Sequence, residues 1–249
     1  TRWIVRLVGS EMCIRDSRCT MLKERYKYDP LKRVEVDGVR HYQTPNGKPL
    51  PSVTTVLDAL KDKTSLYEWR KRVGDEEANR ITKLATGIGT QVHLHIEKYI
   101  LEENRPGGTN LIHQMAKELS DIVIEKGLSN VDEVWGTEVP LYYPGLYAGT
   151  TDCVGVWKGK PAIIDFKTSR KPKKKEWISD YFLQGSAYAA AHNEVYGTDI
   201  KTTVIMMIGW DKESDNMGNY QEFVVENDEF DKFSLDWAGK VQEYFDKYK

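Results

Sequence analysis

Apolar positions along the chain change their period once, near Val131. From Val34 to Tyr42 apolar and polar residues alternate around Asp37-Gly38, the signature of a hairpin closed by a two-residue turn. Pro45-Asn46-Gly47 marks a further turn, and Ser52 stands as an N-cap before Val53, Val56, Leu57 and Leu60, whose spacing predicts a helix. Helical period continues through Leu66, Trp69 and Val73 and then from about Asp75 to Leu101. Arg105-Pro106-Gly107-Gly108 breaks it, and another helix is expected from about Asn110 to Lys126.

Beyond Val131 the alternation of strands takes over, with segments expected at Glu138 to Tyr143, Tyr147 to Trp157 and Pro161 to Thr168. A helix from about Lys174 to Val195, an apolar strand from Thr202 to Ile208 and an amphipathic helix carrying Phe230, Phe233, Trp237, Val241, Tyr244 and Tyr248 complete the pattern. The expectation is an α-rich part over 21–130, then a βββαβ core and a C-terminal helix over 131–249, in one domain. The Pro/Gly break at 105–108 reads as a loop within that domain. Residues 1–20 show no sustained period, and Arg6 interrupts their one apolar run, which argues against a secretory signal. They are expected to be a non-native leader before a natural start at Met21, and VGSEMCIRDS is similar to translated adaptor sequence.

Composition changes this picture little. With 40% hydrophobic and 30% charged residues, 7 Trp and 14 Tyr, the chain is globular and not disordered. Its net charge of −2 means that any nucleic-acid affinity must come from a local basic cluster. Cys13, Cys19 and Cys153 have spacings that support neither a disulfide framework nor a zinc site. No window approaches the ~20 apolar residues of a membrane span, so an intracellular protein without a membrane partner is expected.

The chemistry concentrates around one predicted turn. A two-residue turn at Lys158-Gly159 pairs Trp157 with Lys160, and counting back places Asp152 opposite Asp165. Like charges at such positions destabilise a sheet unless something neutralises them, and hard oxygen ligands point to Mg²⁺ or Mn²⁺. Lys167, two residues on, shares the face of Asp165, while Ile164 and Phe166 face the other way. Two acids and an ammonium at one spot can hold a metal, orient a water and stabilise charge on a phosphoryl oxygen, as phosphodiester hydrolysis requires. The same residues are also compatible with two unrelated surface carboxylates and an exposed lysine. Trp177, Tyr181, Gln184 and Tyr188 recur at i, i+4, i+7 and i+11, either as an aromatic core face or, for Gln184 and Tyr188, as a polar pair aimed at the strand end. His93 and Glu97 share a helix face one turn apart, with His95 pointing away. Arg170, Lys171, Lys173, Lys174 and Lys175 follow the strand as a solvated loop or a phosphate-binding one. Residues 211 to 249 are acidic and expected to face away from DNA. No G-x-x-x-x-G-K-[ST] occurs, which disfavours a nucleotide-binding ATPase.

Together these motifs resemble the PD-(D/E)XK nuclease superfamily, and within it the RecB-like exonuclease branch that includes many phage exonucleases. Gly89-Thr90-Gln91-Val92-His93 is similar to the family's upstream histidine motif, Gly149-Thr150-Thr151-Asp152 to the motif of the first acidic ligand, Asp165-Phe166-Lys167 to the D/E-X-K strand, and Gln184-Gly185-Ser186-Ala187-Tyr188 to its Q-x-x-x-Y helix. Thr151 stands where the family usually has proline. The resemblance is strong from Gly87 to Ile208 and weaker from Tyr42 to Trp69. It implies an α/β restriction-endonuclease-like core, a mixed central sheet flanked by helices, and a helical N-terminal part over the cleft. It further implies that Asp152, Asp165, the Phe166 carbonyl and His93 bind Mg²⁺ or Mn²⁺, that Lys167 positions the attacking water, and that Gln184 and Tyr188 organise that lysine and the DNA backbone. Glu138 and Glu97 stand as further carboxylates near the metal. The implied activity is a metal-dependent DNA exonuclease acting on single-stranded or end-containing DNA in phage-type replication, recombination or repair. A structure-specific endonuclease of the same fold and a non-catalytic DNA-binding module are the alternatives.

Overall fold

The computed structural model describes residues 20–45 and 47–248; the leader expected at 1–20 lies almost wholly outside them, as does Asn46 of the expected turn. Strands β1 (Lys32–Val36) and β2 (Val39–Gln43) pair from Lys32↔Gln43 to Val36↔Val39, leaving Asp37 and Gly38 as the predicted two-residue turn, both at positive φ. The short β3 (Leu50–Pro51) adds to β2 to complete a three-stranded ribbon. Helix α1 (Val53–Leu60) begins as expected, with the Ser52 side chain accepting the Thr55 N–H. Helices α2 (Thr64–Val73), α3 (Asp75–Ile100) and α4 (Leu111–Lys126) follow, α4 capped by Asn110.

The second sheet runs β4 (Val131–Tyr143), β5 (Tyr147–Trp157), β6 (Lys160–Ser169), β7 (Thr202–Gly209), β8 (Tyr220–Glu226), with β6 and β7 parallel and the remaining pairs antiparallel. Helix α5 (Ser179–Tyr196) links the parallel pair, and α6 (Asn227–Lys247) closes the described chain. This is the α/β mixed sheet flanked by helices that the motifs imply. Every residue of β7 is buried, as a strand covered on both faces must be. On one face Val154, Ile163, Ile205 and Met207 pack against α1, α5 and α6; on the other Ile164, Phe166, Val204 and Met206 pack against α3 and α4. No helix among the described residues is long and apolar enough to cross a membrane.

Three elements differ from the sequence reading. β4 starts seven residues before Glu138 and carries two register shifts, so its alternation is broken where the strand bulges. β8 has no counterpart in the expectation, because six of its seven residues are only partly buried and its polar positions dilute the period. The helix expected from Lys174 begins at Ser179: Lys175–Trp177 is a 3₁₀ turn, and Ile178 at φ −120°, ψ 27° interrupts the two.

Candidate active site

The site sits where the central sheet forks. The β5–β6 ladder runs from the Lys158-Gly159 turn, both at positive φ, through Val156↔Pro161 and Val154↔Ile163 to Cys153↔Ile164, and there it stops. Toward its start β5 stays with β4, and toward its end β6 stays with β7, so the strands part at the next rung, Asp152 and Asp165. Parting strands leave backbone groups without partners, which must be satisfied elsewhere. Side chains do this at Phe166: its N–H donates to Asp152 Oδ2 at 2.8 Å, and its carbonyl accepts from His93 Nε2 at 2.7 Å. His93 Nδ1 lies 3.9 Å from Asp152 Oδ1. The residue between the second acid and the lysine of the motif thus ties both the first acid and the helical histidine to the strand.

Asp165 and Lys167 point to the opposite face, toward α5. Lys167 Nζ lies 2.7 Å from Asp165 Oδ2, an ion pair and not an aligned hydrogen bond, since that oxygen has no hydrogen-bond partner. Burial pushes the Asp165 carboxyl up, the nearby Asp152 charge adds to it, and the Lys167 ammonium opposes both. Burial alone would lower Lys167, yet the Asp165 and Asp152 carboxylates hold it above the usual lysine range, so it remains charged. Gln184 Oε1 accepts from Lys167 Nζ at 3.4 Å and Gln184 Nε2 donates to the Tyr188 hydroxyl at 3.4 Å, the chain expected from the Q-x-x-x-Y pattern. Tyr188 is buried against Gly149, where an added Cβ would come within 2.8 Å of Tyr188 Cε1; the glycine before the first acid makes room for the tyrosine.

The structure therefore brings His93, Asp152, Asp165, Phe166, Lys167, Gln184 and Tyr188 to one place. Glu97 and Glu138 line a small pocket with His93, Asp152 and Phe166. Glu138 is exposed as a residue, yet desolvation of its carboxyl, with the Asp152 charge, raises it to about 7. Its backbone sits at φ 47°, a conformation costly for a non-glycine residue. The five basic residues after the strand do not act alike. Arg170 donates to Asp211 at 2.9 Å, and Lys175 donates to the Val224 carbonyl and pairs with Glu229. Lys171 and Lys174 are exposed and Lys173 half-buried, none with an ion-pair partner among the described residues, and Lys174 lies 5.2 Å over the ring of Trp177, which is 62% exposed. Trp177 thus lies outside the aromatic helix face suggested by spacing.

Two partners escaped the motif reading. The Tyr181 ring lies 4.8 Å below Lys167 Nζ, a cation–π contact. Its position three residues before Gln184 was the available signal. Tyr42 brings its hydroxyl to 3.5 Å from Thr150 Oγ1, a contact between distant segments that no local period reveals. As donors, Asp152, Asp165 and the Phe166 carbonyl are hard oxygens suited to Mg²⁺ or Mn²⁺, with Asp165 Oδ2 already paired to the Lys167 ammonium. No group of three or more His, Cys, Asp or Glu among the described residues is drawn together as a metal-ligand set, and His93 Nε2 is engaged by the carbonyl.

No family model matches the chain. It is 28% identical over 202 residues to mitochondrial genome maintenance exonuclease 1 of Xenopus tropicalis, covering 74% of this chain and 54% of that protein. It is 27% identical over 212 residues to the Mus musculus protein of the same name, covering 80% and 60%. The chain thus spans little more than half the length of these relatives. A solved structure from Eubacterium rectale with a provisional exonuclease name has a TM-score of 0.44 at 12% identity, over 66% of this chain and 65% of that one. The similarity to these two exonucleases extends over 74% and 80% of the chain.

Proposed function

We propose that this protein is a metal-dependent DNA exonuclease of the PD-(D/E)XK type, RecB-like branch, which hydrolyses phosphodiester bonds in single-stranded or end-containing DNA. The observation that carries the reading is the fork itself: two acids from different strands and a lysine meet where the β5–β6 ladder ends. The names of the similar proteins support it. Asp152, Asp165 and the Phe166 carbonyl would hold Mg²⁺ or Mn²⁺ with His93 at the edge; such an ion supplies charge stabilisation at the phosphoryl oxygen and acidifies a bound water. Lys167, kept charged by its carboxylates and steadied by Gln184 and Tyr181, acts as a hydrogen-bond donor that orients the water and meets charge developing on the phosphate, not as a base. His93 fixes the Phe166 carbonyl, and Lys171, Lys173 and Lys174 attract the backbone of the incoming strand. The role is one in DNA replication, recombination or repair of phage type.

Digestion of end-labelled linear and closed-circular DNA, single- and double-stranded, with Mg²⁺, Mn²⁺ or chelator tests this. Linear DNA should be degraded progressively with metal and circles spared. Cutting of closed circles would favour the endonuclease alternative, and no degradation of any substrate overturns the nuclease reading.

A further inference from the structure

Beyond the end of β6 the chain builds a second hollow, of about 500 Å³, between α3, α4 and the loop after β7. That volume lies within the range of small-ligand sites. Ile81 and Leu84 of α3, Met115 of α4, Trp210 and Met217 supply apolar walls, and Arg80, Arg170 and Lys212 stand at the rim beside Asp211 and Glu213. Trp210 is buried to 5% exposure, whereas Met217 is 43% exposed.

The hollow is tied to the catalytic strand. The Ser169 carbonyl accepts from the Trp210 N–H at 3.1 Å and from Asn216 Nδ2 at 3.1 Å, so the loop is pinned to the strand carrying Asp165 and Lys167. Arg170 lies three residues past Lys167, about 10 Å along an extended chain. Its Nε is spent on Asp211 Oδ2 at 2.9 Å, and Asp211 is itself fixed by the Ser214 hydroxyl and the Glu213 N–H. The guanidinium is therefore oriented by one edge, and its two terminal nitrogens make no hydrogen bond among the described residues. An oriented Arg fork suits a phosphate, and a thioether- and indole-lined hollow beside it suits a flat apolar ring. It lies at the carboxyl ends of the parallel pair β6–β7, where open α/β sheets receive ligands.

Resting on the exonuclease reading, we infer that this hollow is a nucleotide subsite: it takes up a base of the substrate strand, displaced from the scissile position, with the adjoining phosphate on Arg170. It holds the strand by stacking and charge, without reading base identity through paired hydrogen bonds, so its preference among bases is weak.

Photocrosslinking locates the contact. Short single-stranded oligodeoxynucleotides, each carrying 5-iododeoxyuridine at a different position, are bound to the full chain in chelator, irradiated and mapped by peptide mass spectrometry. One position or two adjacent ones should crosslink to Trp210, Met115 or Met217. Met217→Glu, at an exposed position, should remove that crosslink and weaken oligonucleotide binding about tenfold, the loss expected for one stacked base. Crosslinks that all fall elsewhere, or a Met217→Glu protein that binds and crosslinks like the parent, overturn the subsite. A parent that degrades DNA with metal but crosslinks only around β6 and α5 loses the subsite and keeps the exonuclease reading; a parent that leaves DNA uncut with Mg²⁺ or Mn²⁺ overturns that reading.

Discussion

Asp152 does two jobs that pull its substitutions apart. As a carboxylate it adds a negative charge beside the buried Asp165; as an acceptor it satisfies the Phe166 N–H at 2.8 Å. Asp152→Asn removes the charge and keeps an acceptor, so in chelator it should be as stable as the parent or gain up to about 1 kcal/mol from the relieved cross-strand repulsion. Asp152→Ala also removes the acceptor and leaves a backbone N–H unpaired at the fork, and should cost about 1–3 kcal/mol. Denaturant melts of the three proteins in chelator separate the roles: a clearly destabilised Asp152→Asn, or an Asp152→Ala equal to it, would mean that the carboxylate does not serve the strand as described. Both variants should lose metal-dependent cleavage. The register behind this was legible, because a two-residue turn at Lys158-Gly159 fixes every later pair by counting. The fork was not, since alternation tells which face a residue takes and nothing about where a neighbouring strand departs.

Among elements, those with a strong local period were readable and those held by distant partners were not. α1, α3 and α4 each carry a cap or a long apolar stripe, and their expected limits fall within a residue or two of those observed. The segment before β1 had no such signal, yet it clasps the sheet edge. Val134 exchanges backbone hydrogen bonds with Met21 and Lys23, and Arg25 makes a bidentate pair with Glu133, whose carboxyl it holds at about 2. Tyr26 and Tyr28 then pack on His192, Trp135 and Tyr196. The Thr198 hydroxyl donates to Asn193 Oδ1, so it accepts from His192 Nδ1–H, and His192 Nε2 accepts from the Tyr28 hydroxyl. Burial lowers this neutral histidine from its ordinary 6.5 to about 4. A depressed histidine favours folding while it is neutral, so its contribution is full above pH 6.5 and is lost as pH falls toward 4, where the unfolded chain is protonated and the native one is not. The loss should approach about 3 kcal/mol, and between pH 7 and 4.5 the parent should lose about 2 kcal/mol more than His192→Gln in chemical denaturation. Parallel pH dependences would remove the histidine from the account. The join between α5 and β7 gives a simpler test: a Cβ on Gly185 would meet Thr203 Cγ2 at 2.3 Å, so Gly185→Ala should cost about 1–3 kcal/mol and, one residue from Gln184, lower turnover as well. An unaltered melting point would show that the helix can lift without cost.

On the proposed exonuclease reading, the charges at the scale of the whole molecule decide how DNA would approach. A net charge of −2 supplies no general attraction, so a local set must do so against an overall acidic balance. Sequence alone offered five equivalent cations after β6, and the structure divides them. Arg170 spends only its Nε on Asp211 and keeps its terminal nitrogens, Lys175 is engaged by Val224 and Glu229 of the acidic C-terminal part, and Lys171, Lys173 and Lys174 have no ion-pair partner among the described residues. Each such lysine that neutralises a phosphate on a single strand adds about −0.7 to the slope of log K against log salt. Replacing Lys171, Lys173 and Lys174 together by Gln should therefore flatten that slope by about 2, weaken binding without regard to base sequence, and leave the melting temperature near that of the parent. Lys175→Gln alone should do the reverse: it breaks the tie between the loop and β8, lowering stability with little change in slope, because an engaged ammonium neutralises no phosphate. Binding isotherms at several salt concentrations, with thermal melts of the same proteins, give both readouts. An unchanged slope in the triple variant would make the loop a solvated surface and move the path of the strand to another face.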